Sequence, residues 1–209
     1  MRAPDLSSGI VRSLDALTDL LLLNLLWLLT GAPIVTLGAS TAAVYGALRA
    51  LEREEDGGVV RNFFRCWRRS WRQAGFCGLL QMSLTGLLLR NFISLRGQPN
   101  PVAVALAWLS LVALIILSGI FALIYPMAAR ERRRFADYLR DAALLFRMNI
   151  GRVLLQPTLL ALPLALALFW TELFLRTLPF WVLFGFSGLF RLCHALQRVI
   201  LDPPEPESQ

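Results

Sequence analysis

The chain has 209 residues, 56% hydrophobic and 17% charged, with a mean hydropathy of +0.59. A soluble domain is about half apolar and about a quarter charged, whereas here the segments 20–48, 97–129 and 153–171 contain no Asp, Glu, Lys or Arg at all. Runs of roughly 20 mostly apolar residues cross a hydrocarbon core ~30 Å thick, which excludes a soluble enzyme, a disordered chain and a disulfide-stapled secreted module, and points to an all-α, polytopic membrane helical bundle. The net charge is +7, and all 21 basic residues are Arg. Without Lys there is no Schiff-base or lysine general-base chemistry. Cys66, Cys77 and Cys193 lie far apart and His194 is the single histidine, so no metal or cofactor constellation is expected.

A polar arm at 1–16 precedes the first span, read at about 17–38. Its length and its acidic approach argue for a retained span over a signal peptide. Thr30-Gly31-Ala32-Pro33 interrupts it. Proline in a helix removes a donor and clashes with the preceding turn, so a break is expected near 31–33, with the helix continuing at 39–51. In that continuation Gly38, Ala42, Gly46 and Ala50 recur every fourth residue, as do Ala39, Ala43 and Ala47. Small residues at that spacing let another helix approach closely within a membrane. A broken helix frees backbone groups that must be buried in protein or line a cavity. Asn24, Thr30, Pro33, Thr36, Gly38, Ser40 and Thr41 therefore form a candidate polar break, set against a packing kink whose hydroxyls satisfy the freed backbone.

Glu54-Glu55-Asp56-Gly57-Gly58 reads as a turn. Residues 59–73 then form an amphipathic helix, with Val60, Phe63, Phe64, Trp67 and Trp71 on one face and Arg61, Arg65, Arg68, Arg69 and Arg72 on the other. This is a candidate lipid- or partner-facing surface. Trp67 and Trp71 suit a headgroup interface, and each Arg near an anionic surface contributes about 1 kcal/mol. Nucleic acid is not an expected partner of a membrane-embedded chain. Spans follow at 74–95 and 102–129, joined by the turn at 97–101, and Arg130-Glu131-Arg132-Arg133-Arg134 closes the pair. A second amphipathic helix at 135–150 places Phe135, Tyr138, Leu139, Ala142 and Phe146 on one face. Spans at 152–172 and 178–199 complete five crossings in a single domain of residues 1–200, and the acidic, proline-rich 201–209 is read as a disordered tail. The order of amphipathic helix and paired spans occurs at 59–129 and again at 135–199, a faint internal repeat.

Other polar residues have simple readings. Arg90, Arg191 and His194 are expected to snorkel to an interface. Glu172 and Arg176 suit an exposed pair four residues apart, and Gln156, beside Pro157, suits a bond between helices. Gly185-Phe186-Ser187-Gly188 lacks the spacing of a nucleophile elbow and reads as small residues at a helix crossing. No nucleophile–base pair suggests an enzyme. The loops after the first and third spans carry seven arginines each and the C-terminal end two more, against five on the other side. The positive-inside rule then places both Arg-rich loops and the C-terminus in the cytoplasm. Five crossings leave the N-terminus outside, unless the break is a hairpin that returns it to the cytoplasm.

Leu23-Asn24-Leu25-Leu26-Trp27, Pro33-Ile34-Val35-Thr36-Leu37-Gly38 and Thr41-Ala42-Ala43-Val44-Tyr45, followed by the aromatic-basic helix at 63–71 and by Tyr125-Pro126, resemble the YesL family of bacterial membrane proteins, built on a domain of unknown function. Where that family often has proline after the glycine, this chain reads Gly38-Ala39. The resemblance implies an integral plasma-membrane protein of Gram-positive-type bacteria and a non-enzymatic accessory role in carbohydrate uptake beside ABC-transporter components. It supplies no catalytic residue. Two other readings are a permease-like transporter subunit, for which Asp141-Ala142-Ala143 begins an ATPase-docking signature whose glycine, Gly151, falls four residues late, and a membrane-organising lipid-binding protein.

Overall fold

In the computed structural model, which describes residues 6–131 and 133–201, every regular element is helical. α1 spans Leu6–Gly31, α2 Leu37–Glu52, α3 Gly58–Leu95, α4 Pro101–Arg130, α5 Phe135–Met148, α6 Ile150–Phe169, α7 Thr171–Phe180 and α8 Phe186–Leu201. Among the described residues, five stretches are long and apolar enough to cross a membrane: Leu14–Gly31, Ile34–Glu52, Gly58–Leu95, Pro101–Arg130 and Thr171–Leu201. Ile150–Pro163 is apolar but shorter.

The interruption at Pro33 is a hairpin turn. Proline disfavours helix for the residue before it, and α1 ends at Gly31. One short 3₁₀ turn at Ile34–Thr36 then redirects the chain. Trp27 Nε1 donates to Thr41 Oγ1 at 3.2 Å, and nearer the other end Asp19 and Leu20 line one cavity with Leu48 and Glu52. α1 and α2 are therefore antiparallel neighbours. The expected broken span at 17–38 with its continuation at 39–51 is a pair of antiparallel helices, each long and apolar enough to cross a membrane, and the N-terminal end of α1 lies at the Arg-rich end of the bundle. The expected polar arm is also helical from Leu6 onward.

α2 is the centre of the bundle. Ala39, Ala42, Ala43, Val44 and Ala47 have no exposed surface. Its packing on α3 depends on glycine: a Cβ at Gly38 would collide with the Ala74 carbonyl and stand 2.9 Å from Gly78 Cα. One turn-pair further on, a Cβ at Gly46 would collide with Cys66 Sγ. The two backbones meet at Gly38 and Gly78, where neither helix carries a side chain. Between α2 and α3 the chain reverses through Gly57 at φ 111° and Gly58 at φ 69°, conformations open to glycine and costly for other residues.

α3 corrects a second expectation. The amphipathic segment 59–73 and the span 74–95 are one continuous helix of 38 residues, about 57 Å at 1.5 Å per residue. Its Arg-rich half lies alongside α2, with Cys66 against Gly46 and Ala74 against Gly38, and its apolar half extends past the Pro33 turn. α4 begins as its sequence dictates, with Asn100 Oδ1 accepting from the Val102 N–H at 2.9 Å and Pro101 in the first turn. The second amphipathic helix ends at Met148, two residues early. The last two spans divide at Trp170 instead of near 175. From Thr171 the chain is helical to Leu201, passing through a π-helical turn at Trp181–Gly185. Of the expected tail, 202–209 lies outside the described residues, as does Arg132.

Gly38→Val should lower stability in detergent by about 1–3 kcal/mol through overpacking, read as a fall in thermal midpoint. Gly86→Ala, where an added Cβ meets nothing within 4 Å, should leave the midpoint unchanged or raise it.

Candidate functional site

The residues of the expected polar break are distributed, not gathered. Thr36 Oγ1 donates within the turn, to the Thr30 carbonyl at 2.6 Å or the Pro33 carbonyl at 2.8 Å. Thr30, Ser40 and Thr41 each donate to the carbonyl four residues earlier in the chain. Pro33 is exposed at the turn, and Gly38 is the contact with α3. These groups satisfy the backbone locally.

Asn24 does something the sequence did not indicate. It is fully buried, its Nδ2 donates to the Trp181 and Val182 carbonyls at 3.1 and 2.5 Å, and its Oδ1 accepts from the Ser187 N–H at 2.9 Å. A π-turn inserts one residue into the helical ladder and leaves backbone groups without their usual partners. One carboxamide from α1 fills the gap. Gly185 is part of the same arrangement, since a Cβ there would enter the Trp181 ring.

A parallel repair occurs on α4. Pro126 has no N–H for the carbonyl of Ala122. Gln197, from α8, donates to that carbonyl at 3.0 Å and to Gln156 Oε1 at 2.9 Å. Gln156 is fully buried, and so does join helices as the sequence suggested. Tyr125, beside the proline, donates to Gln81 Oε1 at 2.5 Å. Between these bonds lies a cavity of about 300 Å³. Its walls are aromatic, from Trp27, Tyr45, Tyr125, Phe186 and Phe190, with Thr41, Gln81 and Ser118 as polar points.

The Arg/Trp segment of α3 presents a different face from the one expected. Val59, Asn62, Phe63 and Ser70 are buried, and Trp67 is half-buried, while Val60, Phe64 and Trp71 remain 42%, 39% and 46% exposed. The apolar face splits because the helix packs edge-on against α2 and α4 instead of lying flat on a surface. Arg61, Arg65, Arg68, Arg69 and Arg72 are all exposed, and the Arg72 guanidinium sits 5.5 Å from the Trp71 ring. Arg69 is also tied down: it donates to the Ala129 carbonyl, and to that of Arg130 at 3.0 Å. A cation at a helix C-terminus is favoured by the helix dipole. Gln73 adds a bond to the Arg133 carbonyl at 2.5 Å. In the connection to α5, Tyr138 donates to the Glu131 carbonyl and accepts from the Arg133 N–H at 2.9 Å. Burial pushes the Tyr138 hydroxyl above its ordinary range, which keeps it a donor. Asp141 pairs with Arg133 at 3.3 Å.

His194 has a carboxylate neighbour that lies far away in sequence. Its Nε2 is 3.1 Å from Glu52 Oε2, and the imidazole is almost wholly buried. Arg191 is exposed, whereas His194, expected to snorkel to an interface, is instead buried against Glu52. Asp15, Asp19, Glu52, Arg191 and His194 line a cavity of about 310 Å³ at the basic end. Among the described residues, no group of three or more His, Cys, Asp or Glu side chains could hold a metal ion. Glu172 and Arg176 share an open depression at the opposite end.

Asn24→Leu and Gln197→Leu should each destabilise the protein by about 1–3 kcal/mol, because backbone carbonyls are left without donors inside the bundle. Thermal unfolding in detergent checks this. Midpoints unchanged by either substitution would mean the helices relax without side-chain repair.

No curated protein and no solved structure matches this chain. A family model described as a protein of unknown function, DUF624, matches residues 20–92, from α1 through the turn and α2 to the apolar half of α3.

Proposed function

We propose that this multi-pass membrane protein is a non-enzymatic accessory of carbohydrate uptake, acting in the plasma membrane by docking to ABC-transporter components. Its Arg-rich ends face the cytoplasm in this reading, by the positive-inside rule. The α1–α2 hairpin then returns the N-terminal end of α1 to that same side. The observation that carries the proposal is the exposed face of the Arg-rich half of α3. It holds Arg61, Arg65, Arg68 and Arg72, together with exposed Val60, Phe64 and Trp71, beyond the apolar half of the helix. A rigid, positively charged surface with apolar anchors suits an acidic protein partner and the anionic headgroups beneath it. The likeness to the YesL family at residues 23–45 supports the link to carbohydrate import.

A permease-like role is the second reading, favoured by the aromatic cavity between α1, α2, α4, α6 and α8. The docking signature begun at Asp141 does not extend in its favour: α5 ends at Met148, before Gly151, and Asp141 pairs with Arg133.

Crosslinking and affinity purification from native membranes distinguishes these readings. The full chain should recover identified subunits of a sugar importer, and Arg61→Gln, Arg68→Gln and Arg72→Gln combined should reduce that recovery several-fold. Consistent recovery of the chain alone would contradict the proposal.

A further inference from the structure

The cavity of about 310 Å³ between α1, α2 and α8 carries charges of both signs: Asp15 and Asp19 from α1, Glu52 from α2, Arg191 and His194 from α8. Glu52 is already engaged, with its Oε2 3.1 Å from His194 Nε2. Among the described residues, no ion pair ties Asp15, Asp19 or Arg191. Asp15 and Asp19 stand four residues apart on one helix, a spacing at which like charges repel. A cation held between them relieves that repulsion. Arg191 is left to hold an anion.

A second observation specifies the cation. His194 lines the same cavity, is 6% exposed, and its Nδ1 is buried without a hydrogen-bond partner among the described residues. The Glu52 carboxylate accepts and cannot donate, so it places the proton of the neutral imidazole on Nε2 and leaves Nδ1 as a lone pair. Two carboxylates and one ring nitrogen make three acceptors. A primary ammonium has three N–H donors, whereas a quaternary ammonium has none. The ligand that fits is therefore a primary ammonium joined to an anion that meets Arg191. Position supplies the third constraint. Asp15 and Glu52 lie at the ends of Leu14–Gly31 and Ile34–Glu52, two stretches long and apolar enough to cross a membrane. The cavity opens where such stretches meet headgroups, and Leu48 and Leu51 give it an apolar wall.

We propose that this cavity binds a primary ammonium joined to a phosphate, supplied by the phosphoethanolamine headgroup of a membrane lipid. The proposal goes beyond the docking role of α3, and it rests on other helices.

The test uses the purified full chain, stripped of lipid and then supplied with phosphatidylethanolamine, phosphatidylcholine or free phosphoethanolamine. The two lipids differ in their N–H donors and share the phosphate. Thermal midpoint and native mass spectrometry are the two readouts. Phosphatidylethanolamine should raise the midpoint and remain bound, and phosphatidylcholine should do neither. Asp19→Asn should weaken retention about five-fold, without lowering the midpoint of the lipid-free protein, because it removes the repulsion from Asp15. Arg191→Gln should weaken retention as well, and as an exposed residue it keeps the test decisive if Asp19→Asn folds poorly. Arg61→Gln combined with Arg68→Gln, outside the cavity, should retain the lipid, which separates failure here from failure of the docking role. Stabilisation by free phosphoethanolamine alone would support the ammonium site and overturn its assignment to a lipid. Equal retention of the two lipids, undiminished retention in both cavity variants, or no stabilisation by either ethanolamine compound would overturn the site itself.

Discussion

The backbone contact between α2 and α3 is the constraint on which the rest of the molecule depends. Between helices in a bilayer, lipid is as apolar as a leucine side chain, so burial alone gives little drive to associate. Close packing must do the work, and it requires surfaces without bulk. α2 provides one at Gly38, Ala42, Gly46 and Ala50, and α3 answers with Ala74 and Gly78. Once these helices are in contact, α1 folds back on α2 through the Pro33 turn, α4 lies against α3, and α8 closes over Tyr45 and Trp27. The Arg-bearing ends then gather on one side because each successive pass reverses direction.

Polar groups inside the bundle follow a single logic. Helix irregularities release carbonyls that water cannot reach, and a side-chain amide from a distant helix takes them up. Asn24 does this for the π-turn of the last pass, and Gln197 does it for the carbonyl that Pro126 abandons. Both bonds join segments far apart in the chain, so each fixes the register of the bundle as well as satisfying a carbonyl. At the basic end the polar groups are mainly cationic: Arg49, Arg53, Arg65, Arg69 and Arg130 line one cavity where α2 and α4 terminate against α3.

Much of this was legible in the sequence. The charge-free runs identified apolar helices because a bilayer tolerates few charges, and α4 fell within a residue of its expected bounds at each end. The four-residue spacing of small side chains in α2 marked a close crossing, and the arginines marked the basic end. Other features depend on contacts that no local pattern encodes. A proline break looks the same whether the chain kinks or reverses, so the hairpin at Pro33 stood only as an alternative. Periodicity made 59–73 amphipathic, yet helix propensity never halted at Ala74, and the apolar face was divided between a bundle and open surroundings. Asn24 was selected as polar, but its partners lie on the last pass. Glu52 and His194 meet only after the bundle closes, and so do the five arginines around Asn62.

The whole architecture requires that α2 run back through the centre of the bundle, antiparallel to α1. The most direct measurement is impermeant thiol labelling of intact cells, with Cys66, Cys77 and Cys193 replaced by serine and single cysteines introduced as Leu14→Cys, Asp56→Cys or Gln98→Cys. The account predicts that positions 14 and 56 share one side of the membrane and that position 98 lies on the other. Labelling that placed positions 14 and 56 on opposite sides would contradict it.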